Sequence, residues 1–128
     1  MKTDLTYLKT MSGEDPDLMN EMIDIFVAQV GEFQDDLQTL HDAGRYAELG
    51  KMAHKAKSSV AIMGMESLAE KLKELELLTR ENKKTENYQD YINLFNSECT
   101  KAIIELKDFQ DTIDPSKNHY HVTNKKNK

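Results

Sequence analysis

Hydrophobic residues recur every three or four positions along most of this chain, which is the spacing of a helix with one buried face. The most regular run lies in the C-terminal half and consists of Ile92, Phe95, Cys99, Ala102, Leu106, Phe109 and Ile113. Thr85 can cap the start of this segment and Asp114-Pro115 ends it, because proline disrupts a helix interior. The pattern predicts a long helix of a bundle.

A second long helix is predicted to begin at Asp15-Pro16, an N-cap acceptor followed by proline at the first helical position. Its apolar stripe consists of Leu18, Met22, Phe26, Val30, Phe33, Leu37 and Leu40. Gly31 is a weak helix former and is expected to kink this helix or divide it in two. Ala43-Gly44 marks its end.

Two further long helices and a short N-terminal one complete the pattern. One is predicted from Tyr46 to Met63, with Gly64 as a left-handed stop. The next follows almost at once, and its apolar positions are Leu68, Leu72, Leu75 and Leu78. The short helix covers about Leu5–Thr10, with Thr3 or Asp4 as its cap and a break over 11–14.

These elements predict an all-α fold, an antiparallel four-helix bundle with a short N-terminal capping helix. The bundle occupies residues 1–113. Residues 114–128 are polar and basic with little to bury, so we expect a flexible tail or linker.

Composition restricts the number of domains and the cellular compartment that this bundle can have. A length of 128 residues suits one domain, and the single cysteine excludes an internal disulfide framework and fits a reducing compartment. No apolar run approaches the roughly 18 residues needed to span a bilayer, and the N-terminus lacks the apolar segment of a secretory signal. We therefore expect a cytoplasmic protein without membrane insertion, although a domain cut from a larger membrane protein would have the same composition.

Charge is unevenly distributed along the chain. The net charge is −6, but residues 45–64 hold four basic residues against one acidic residue, whereas residues 1–44 hold two against ten. Overall acidity disfavours a nucleic-acid surface, which needs a broad positive footprint. A local basic segment in an acidic protein favours the binding of one small anionic group.

His54 lies at the centre of this basic segment. On a helix it shares its face with Lys51, Lys57 and Ser58. The nearby positions of that face are all small: Ala47, Gly50 and Ala61. Because His54 lies beside the apolar stripe and not in its middle, the imidazole is predicted to be reachable from solvent.

Two interpretations of His54 fit this pattern. An uncharged imidazole with lysines one turn away suits a phosphoryl carrier, since a phosphorylated side chain adds nearly two negative charges. The alternative is a partly exposed helical histidine with solvated lysines, in which small residues such as Gly50 reflect close packing of helices. Spacing alone favours the second interpretation, since histidines and lysines at helical spacing are common.

Other candidates carry weaker signals. His41, at the end of the acidic second helix, is expected to be a surface residue. His119 and His121 in the tail are too few for a specific metal signal. Cys99, Met52, Met63 and Met65 fall on or beside apolar stripes, so we assign them to the core or its rim. No Glu-x-x-His set of a di-metal bundle occurs, and we predict no metal site.

The run from Ala53 to Ser59, with Gly64 and the Leu68-to-Glu76 stretch, resembles the signature of histidine-containing phosphotransfer (HPt) domains. Leu5–Leu8 and the stretch from Gly13 through Phe26 also resemble the opening of that family, so the likeness covers about residues 3–113. Two positions depart mildly from the family pattern. Ala56 stands where a larger aliphatic residue is usual, and Ser58 where glycine is frequent.

The resemblance implies that His54 accepts a phosphoryl group from a receiver-domain aspartyl phosphate and passes it to another receiver. It implies that Lys57 pairs with the phosphate, that Ser58 lines the ring and that Gly64 leaves room beside it. Lys51, Lys55 and Ala61 are candidate partner-docking residues.

The resemblance also implies no ATP-binding or kinase core and no cofactor in this chain, with Mg²⁺ expected in the partner receiver. The partners would be response-regulator receiver domains or a hybrid sensor histidine kinase, of which the chain itself could be a module, and we expect a monomer. The alternative function is a non-catalytic helical interaction or adaptor domain, which would bind partners without accepting a phosphoryl group.

Overall fold

The computed structural model describes residues 2–113, which form five α-helices and one short 3-10 turn. The helices are α1 (Thr6–Ser12), α2 (Pro16–Asp42), α3 (Tyr46–Ile62), α4 (Glu66–Glu81) and α5 (Tyr88–Ile113), with the 3-10 turn at Thr85–Asn87. Within this part of the chain, no helix combines the length and the apolar character that crossing a membrane requires.

The four long helices form a closed ring in which α2 packs on α3 and α5, and α4 packs on α3 and α5. Side-chain hydrogen bonds define their directions. Gln38 pairs with Gln89 near one end, and Asp24 pairs with Gln110 near the other, so α2 and α5 run in opposite directions. The predicted all-α antiparallel four-helix bundle is confirmed.

The core contains most of the apolar positions that the sequence pattern identified, but the first turns of α2 were assigned to the wrong face. Leu18 is exposed, whereas Met19 and Ile23 are buried. The largest fully buried side chains of the core are Tyr88, Phe95, Leu8, Ile23, Leu37, Leu49, Met63, Leu72, Leu75, Ile92, Leu106 and Val30. Burying a side chain of this size stabilises a fold by about 1.5–3 kcal/mol. The core therefore holds all four long helices together, and Leu8 attaches α1 to it.

Helix boundaries agree with the sequence signals in most places and differ in three. The Asp15 side chain accepts a hydrogen bond from the Asp17 N–H at 3.0 Å and caps α2 as predicted. Gly31 does not divide α2, which is one continuous helix, because packing on both neighbours outweighs the weak propensity of one glycine. The final helical segment begins as a 3-10 turn at Thr85, and no side-chain cap bond marks its start.

The third difference concerns α1, which ends at Ser12, two residues beyond the predicted Thr10. Gly13 stops it with a left-handed backbone, φ 62°. Its N-cap is Leu5 and not the predicted Thr3 or Asp4, although the Asp4 carboxylate accepts a hydrogen bond from the Thr6 N–H at 3.1 Å.

The segment before α1 is fastened across one end of the bundle. The Glu105 carboxylate of α5 accepts the Lys2 and Thr3 N–H groups at 2.7 and 3.0 Å, and the Asp4 N–H donates to the carbonyl of Met63 at 3.0 Å. The hydrogen bond between Asp4 and Met63 lies at the C-terminal end of α3, so the N-terminal segment and α1 cap that end of the bundle. The predicted tail, residues 114–128, including His119 and His121, lies outside the described residues.

Candidate functional site

His54 projects from the middle of α3 into solvent. Its side chain is 57% exposed, whereas the neighbouring Ala53 and Ala56 are fully buried. The prediction that the imidazole lies beside the apolar stripe is confirmed. The Nδ1 edge of the ring faces α4.

Glu76 of α4 contacts the edge of the imidazole that faces the bundle. Its Oε1 lies 3.1 Å from Nδ1 of His54, and its own side chain is only 14% exposed. An ionised carboxylate can only accept hydrogen bonds, so Nδ1 must be the donor. In the neutral ring the proton therefore sits on Nδ1, and Nε2 keeps its lone pair.

The same carboxylate binds two cations. Oε1 accepts from Nζ of Lys57 at 3.4 Å, and Oε2 accepts from Nη2 of Arg80 at 3.1 Å. Burial raises the pKa of the Glu76 carboxyl, but the hydrogen bonds from His54 and Lys57 and the Lys57 charge outweigh burial and hold that pKa below its usual range. Glu76 is therefore ionised at neutral pH.

Lys57 and Ser58 lie within one turn of the histidine on α3. Lys57 is partly buried, with a side chain that is 25% exposed, and shares Glu76 with His54. The exposed Ser58 hydroxyl donates to the backbone carbonyl of His54 at 3.4 Å, a contact with its backbone and not its ring. Lys57 is thus brought to the same group as the imidazole, and Ser58 lies beside it.

A shallow groove between α3 and α4 runs past His54, and Lys51 and Lys55 border it. Both lysines are exposed, so the basic segment surrounds the imidazole as the charge pattern predicted. Ala61, the third candidate docking residue, is partly buried two turns farther along α3 and does not line this groove.

Gly64 does not have the place that the family resemblance implied. It adopts φ +71°, and a Cβ there would collide with the backbone of Asp4 and lie 2.6 Å from the Asp4 side chain. It follows the end of α3, about 15 Å along the helix from His54 at 1.5 Å per residue. The space that Gly64 leaves is filled by the N-terminal segment and not left open beside the imidazole.

Gly50 is explained by packing, one of the two explanations that the sequence allowed for the small residues. It is buried against α4, where a Cβ would collide with Oγ1 of Thr79. Ala47, by contrast, is exposed and lines the groove beside His54.

The remaining candidates are structural. His41 lies 3.2 Å from the Asp42 carboxylate and against the Tyr46 ring at the end of α2. Cys99 is buried, and burial together with the charge of Glu98 raises the pKa of its thiol to about 12, so it is not a thiolate at neutral pH. Met63 and Met65 are buried and Met52 is partly buried. Among residues 2–113, no three or more His, Cys, Asp and Glu side chains are grouped to hold a metal ion.

Sequence reasoning missed Glu76 and Arg80 as parts of the site. Glu76 appeared only at the end of the Leu-Glu portion of the family resemblance, and Arg80 was not singled out. Both residues lie on α4. The spacing of apolar residues along one helix shows which of its faces is buried, but not which of its residues lie opposite a given residue of a neighbouring helix. The only signal of Glu76 and Arg80 was their spacing of four residues, which allows them to pair on one helix face.

Comparison with known proteins gives one match. The family model described as Hpt domain matches residues 21–109, more than half of the chain. Neither the curated proteins nor the solved structures give a match.

Proposed function

Because the chain belongs to the Hpt domain family, we propose that it is a phosphorelay carrier that bears its phosphoryl group on Nε2 of His54. Domains of this family carry phosphoryl groups in phosphorelays and interact with receiver domains. His54 would accept the group from a receiver aspartyl phosphate and pass it to the aspartate of a second receiver.

The contact between Glu76 and Nδ1 of His54 is the observation that supports this assignment most strongly. It leaves a lone pair on Nε2 of a side chain that is 57% exposed, and such a lone pair is the nucleophile that an attack on phosphorus needs. His41, the other histidine among residues 2–113, is less exposed, with a side chain that is 22% exposed.

In the transfer step, the Nε2 lone pair forms a bond to phosphorus as the bond from phosphorus to the aspartate oxygen breaks. The electron pair of the broken bond leaves with the aspartate, which departs as a carboxylate. The proton on Nδ1 stays in place, so the phosphorylated ring is cationic and lies 3.1 Å from the Glu76 carboxylate. Onward transfer reverses these events with a second aspartate as the nucleophile.

Lys57 would stabilise the phosphoryl group. A phosphorylated side chain carries nearly two negative charges, and Lys57 lies one turn from His54 with a flexible stem. Its bond to Glu76 is long, 3.4 Å, so exchanging that partner for a phosphoryl oxygen loses little.

Retention of the group also fits the site. The carboxylate next to His54 already accepts hydrogen bonds from three side chains, so it is poorly placed to activate water. We propose a transfer intermediate without a kinase core or a cofactor of its own, with Mg²⁺ supplied by the receiver. It would act in the cytoplasm as a monomer, either free or as a module of a hybrid kinase.

The test is phosphorylation by receivers in vitro. Incubation with a panel of phosphorylated receivers from the same genome should give an acid-labile, alkali-stable phosphoprotein. His54→Gln should abolish the label while circular dichroism shows an intact fold, and the matched control His41→Gln should retain it. Undiminished label in His54→Gln would overturn the assignment, and receiver binding without any label would indicate the adaptor function.

A further inference from the structure

α3 and α4 pack tightly at Gly50 and Thr79, one turn from the His54–Glu76 contact. A Cβ built on Gly50 would collide with Oγ1 of Thr79, and would lie 3.3 Å from the Thr79 Cβ and 3.6 Å from the backbone oxygen of Glu76. Gly50 and Thr79 are both buried. The absence of a side chain at one position of α3 therefore sets how closely α4 can approach.

The two contacts belong to the same stretch of interface. Along α3, His54 follows Gly50 by four residues, and along α4, Glu76 precedes Thr79 by three. Because the helices are antiparallel, a step of one turn forward on α3 matches a step of one turn back on α4. The Gly50–Thr79 and His54–Glu76 contacts are therefore neighbours in the same interface. The Thr79 hydroxyl also donates to the backbone carbonyl of Glu76 at 2.8 Å, which ties the two positions on α4 together.

The carboxylate has little freedom to follow a displaced helix. Oε1 and Oε2 accept from His54, Lys57 and Arg80 at 3.1 to 3.4 Å, near the long end of the range for hydrogen bonds. Lys57 and His54 lie on α3, and Arg80 lies on α4 with Glu76 itself. If α3 and α4 move apart, Glu76 stays with Arg80 and loses its two partners on α3.

We infer that Gly50 acts as a positioning residue for phosphoryl transfer: because it presents no side chain to Thr79, α4 lies close enough for Glu76 to fix the Nδ1–H form of His54. Gly50 does not touch the phosphoryl group. Its effect on the reaction rests on the proposed carrier function, but its effect on the imidazole exists in the unphosphorylated protein and is measurable without a receiver.

The first experiment measures the ¹⁵N chemical shifts of the two His54 ring nitrogens at a pH at which the ring is neutral. In the unaltered protein, Nδ1 should give the shift of a protonated nitrogen and Nε2 that of an unprotonated one. In Gly50→Ala the two forms should exchange, so the two shifts converge. Phosphorylation by a receiver should also slow by about 10- to 100-fold, the loss that a small misplacement of a reacting group causes.

A second substitution that relieves the collision distinguishes a positioning role of Gly50 from a general loss of packing in Gly50→Ala. Gly50→Ala combined with Thr79→Ala removes the colliding oxygen and leaves a Cβ–Cβ separation of 3.3 Å, which a small local shift relieves, so the separated shifts and most of the transfer rate should return. Thr79→Ala alone should keep the shifts separated. The matched control is Gly31→Ala in α2, another helical glycine, where a Cβ would meet nothing within 4 Å and no change in the shifts is expected.

Two results would overturn the inference. One is a folded Gly50→Ala protein whose ring shifts stay separated, and the other is a folded double variant whose shifts stay converged. If Gly50→Ala does not fold, the double variant decides alone, and separated shifts in it support the inference. If the unaltered protein takes no label from any receiver, the carrier function fails while the shift measurements still decide the role of Gly50.

Discussion

Glu76 and His54 meet across the α3–α4 groove with opposite exposures, the acidic side chain 14% exposed and the imidazole 57% exposed. The buried partner is also bound by Lys57 and Arg80. Glu76, which accepts hydrogen bonds from three side chains, thus determines which ring nitrogen of His54 carries the proton. The position of the proton on the His54 ring therefore depends on α4 as well as on its own helix.

Replacing Glu76 tests this dependence. Glu76→Gln keeps the size of the side chain but removes the charge beside the cationic phosphorylated ring. A hydrogen bond to a charged group contributes about 1.5–3 kcal/mol, so phosphorylation by a receiver should slow by about 10- to 100-fold. Single-turnover transfer from a phosphorylated receiver measures the rate.

The matched control for Glu76→Gln is Glu74→Gln, two residues earlier on α4. Glu74 accepts from the Tyr91 hydroxyl at 3.0 Å and has no contact with His54. We expect its transfer rate to be unchanged. Equal rates for Glu76→Gln and the unaltered protein would show that the carboxylate has no part in transfer.

Lys57 should contribute a smaller, salt-dependent effect. Lys57→Gln removes the cation proposed to bind the phosphoryl group, and the loss of one such partly exposed ion pair corresponds to a roughly 2- to 5-fold slower transfer at low salt. The difference should shrink at high salt, where charges are screened. Lys107→Gln on the exposed face of α5 is the control, and a loss of equal size in it would contradict a specific role for Lys57.

Glu105 should make stability depend on pH. Burial raises the pKa of its carboxyl, but hydrogen bonds from Lys2 and Thr3 outweigh burial and hold the pKa below its ordinary value of 4.5. The folded state thus favours the ionised form, and this stabilisation is present above about pH 4.5 and is lost as the pH falls through the lower folded value.

Glu105→Gln should therefore lower the free energy of unfolding by about 1–3 kcal/mol at pH 7, and by much less in acid. Urea unfolding at both pH values measures the difference. Glu70→Gln, at an exposed position of α4, should have little effect at either pH. A Glu105→Gln loss that does not depend on pH would contradict the assignment of the stabilisation to the ionised carboxylate.

Alanine substitutions at two glycines with left-handed backbones distinguish the cost of backbone strain from the cost of a steric collision. Gly13 has φ +62° and open space around its missing Cβ, so Gly13→Ala should cost only the backbone strain, about 1–2 kcal/mol. Gly64 has φ +71° and faces Asp4, so Gly64→Ala should add a collision and cost about 3 kcal/mol or more. Chemical denaturation measures both, and equal losses would mean that the N-terminal segment yields freely.

The fold was predictable because the spacing of apolar residues within each long helix shows that one face of that helix is buried. Apolar residues at steps of three and four identified α2 to α5, and Asp15-Pro16 marked the start of α2. The errors occurred where tertiary packing overrides local preference. Gly31 does not divide α2, and Leu18, which was assigned to the buried stripe of α2, is exposed whereas Met19 is buried.

The site was predictable only in part, for a related reason. The exposure of His54 follows from its place beside one apolar stripe, so a single helix contains the information. The contacts of Glu76 depend on the register of α4 against α3, which the Gly50–Thr79 packing sets. The role of Gly64 was misjudged because its neighbour, Asp4, comes from the opposite end of the sequence.

The central claim is that His54 carries the phosphoryl group on Nε2 while Nδ1 keeps its proton. The most direct measurement is NMR of the ¹⁵N-labelled protein after phosphorylation by a receiver, with detection of the coupling between ³¹P and the bonded ring nitrogen. The account predicts a one-bond coupling to Nε2 of His54 and a protonated Nδ1. Coupling to Nδ1, or phosphorus attached to any other residue, would contradict it.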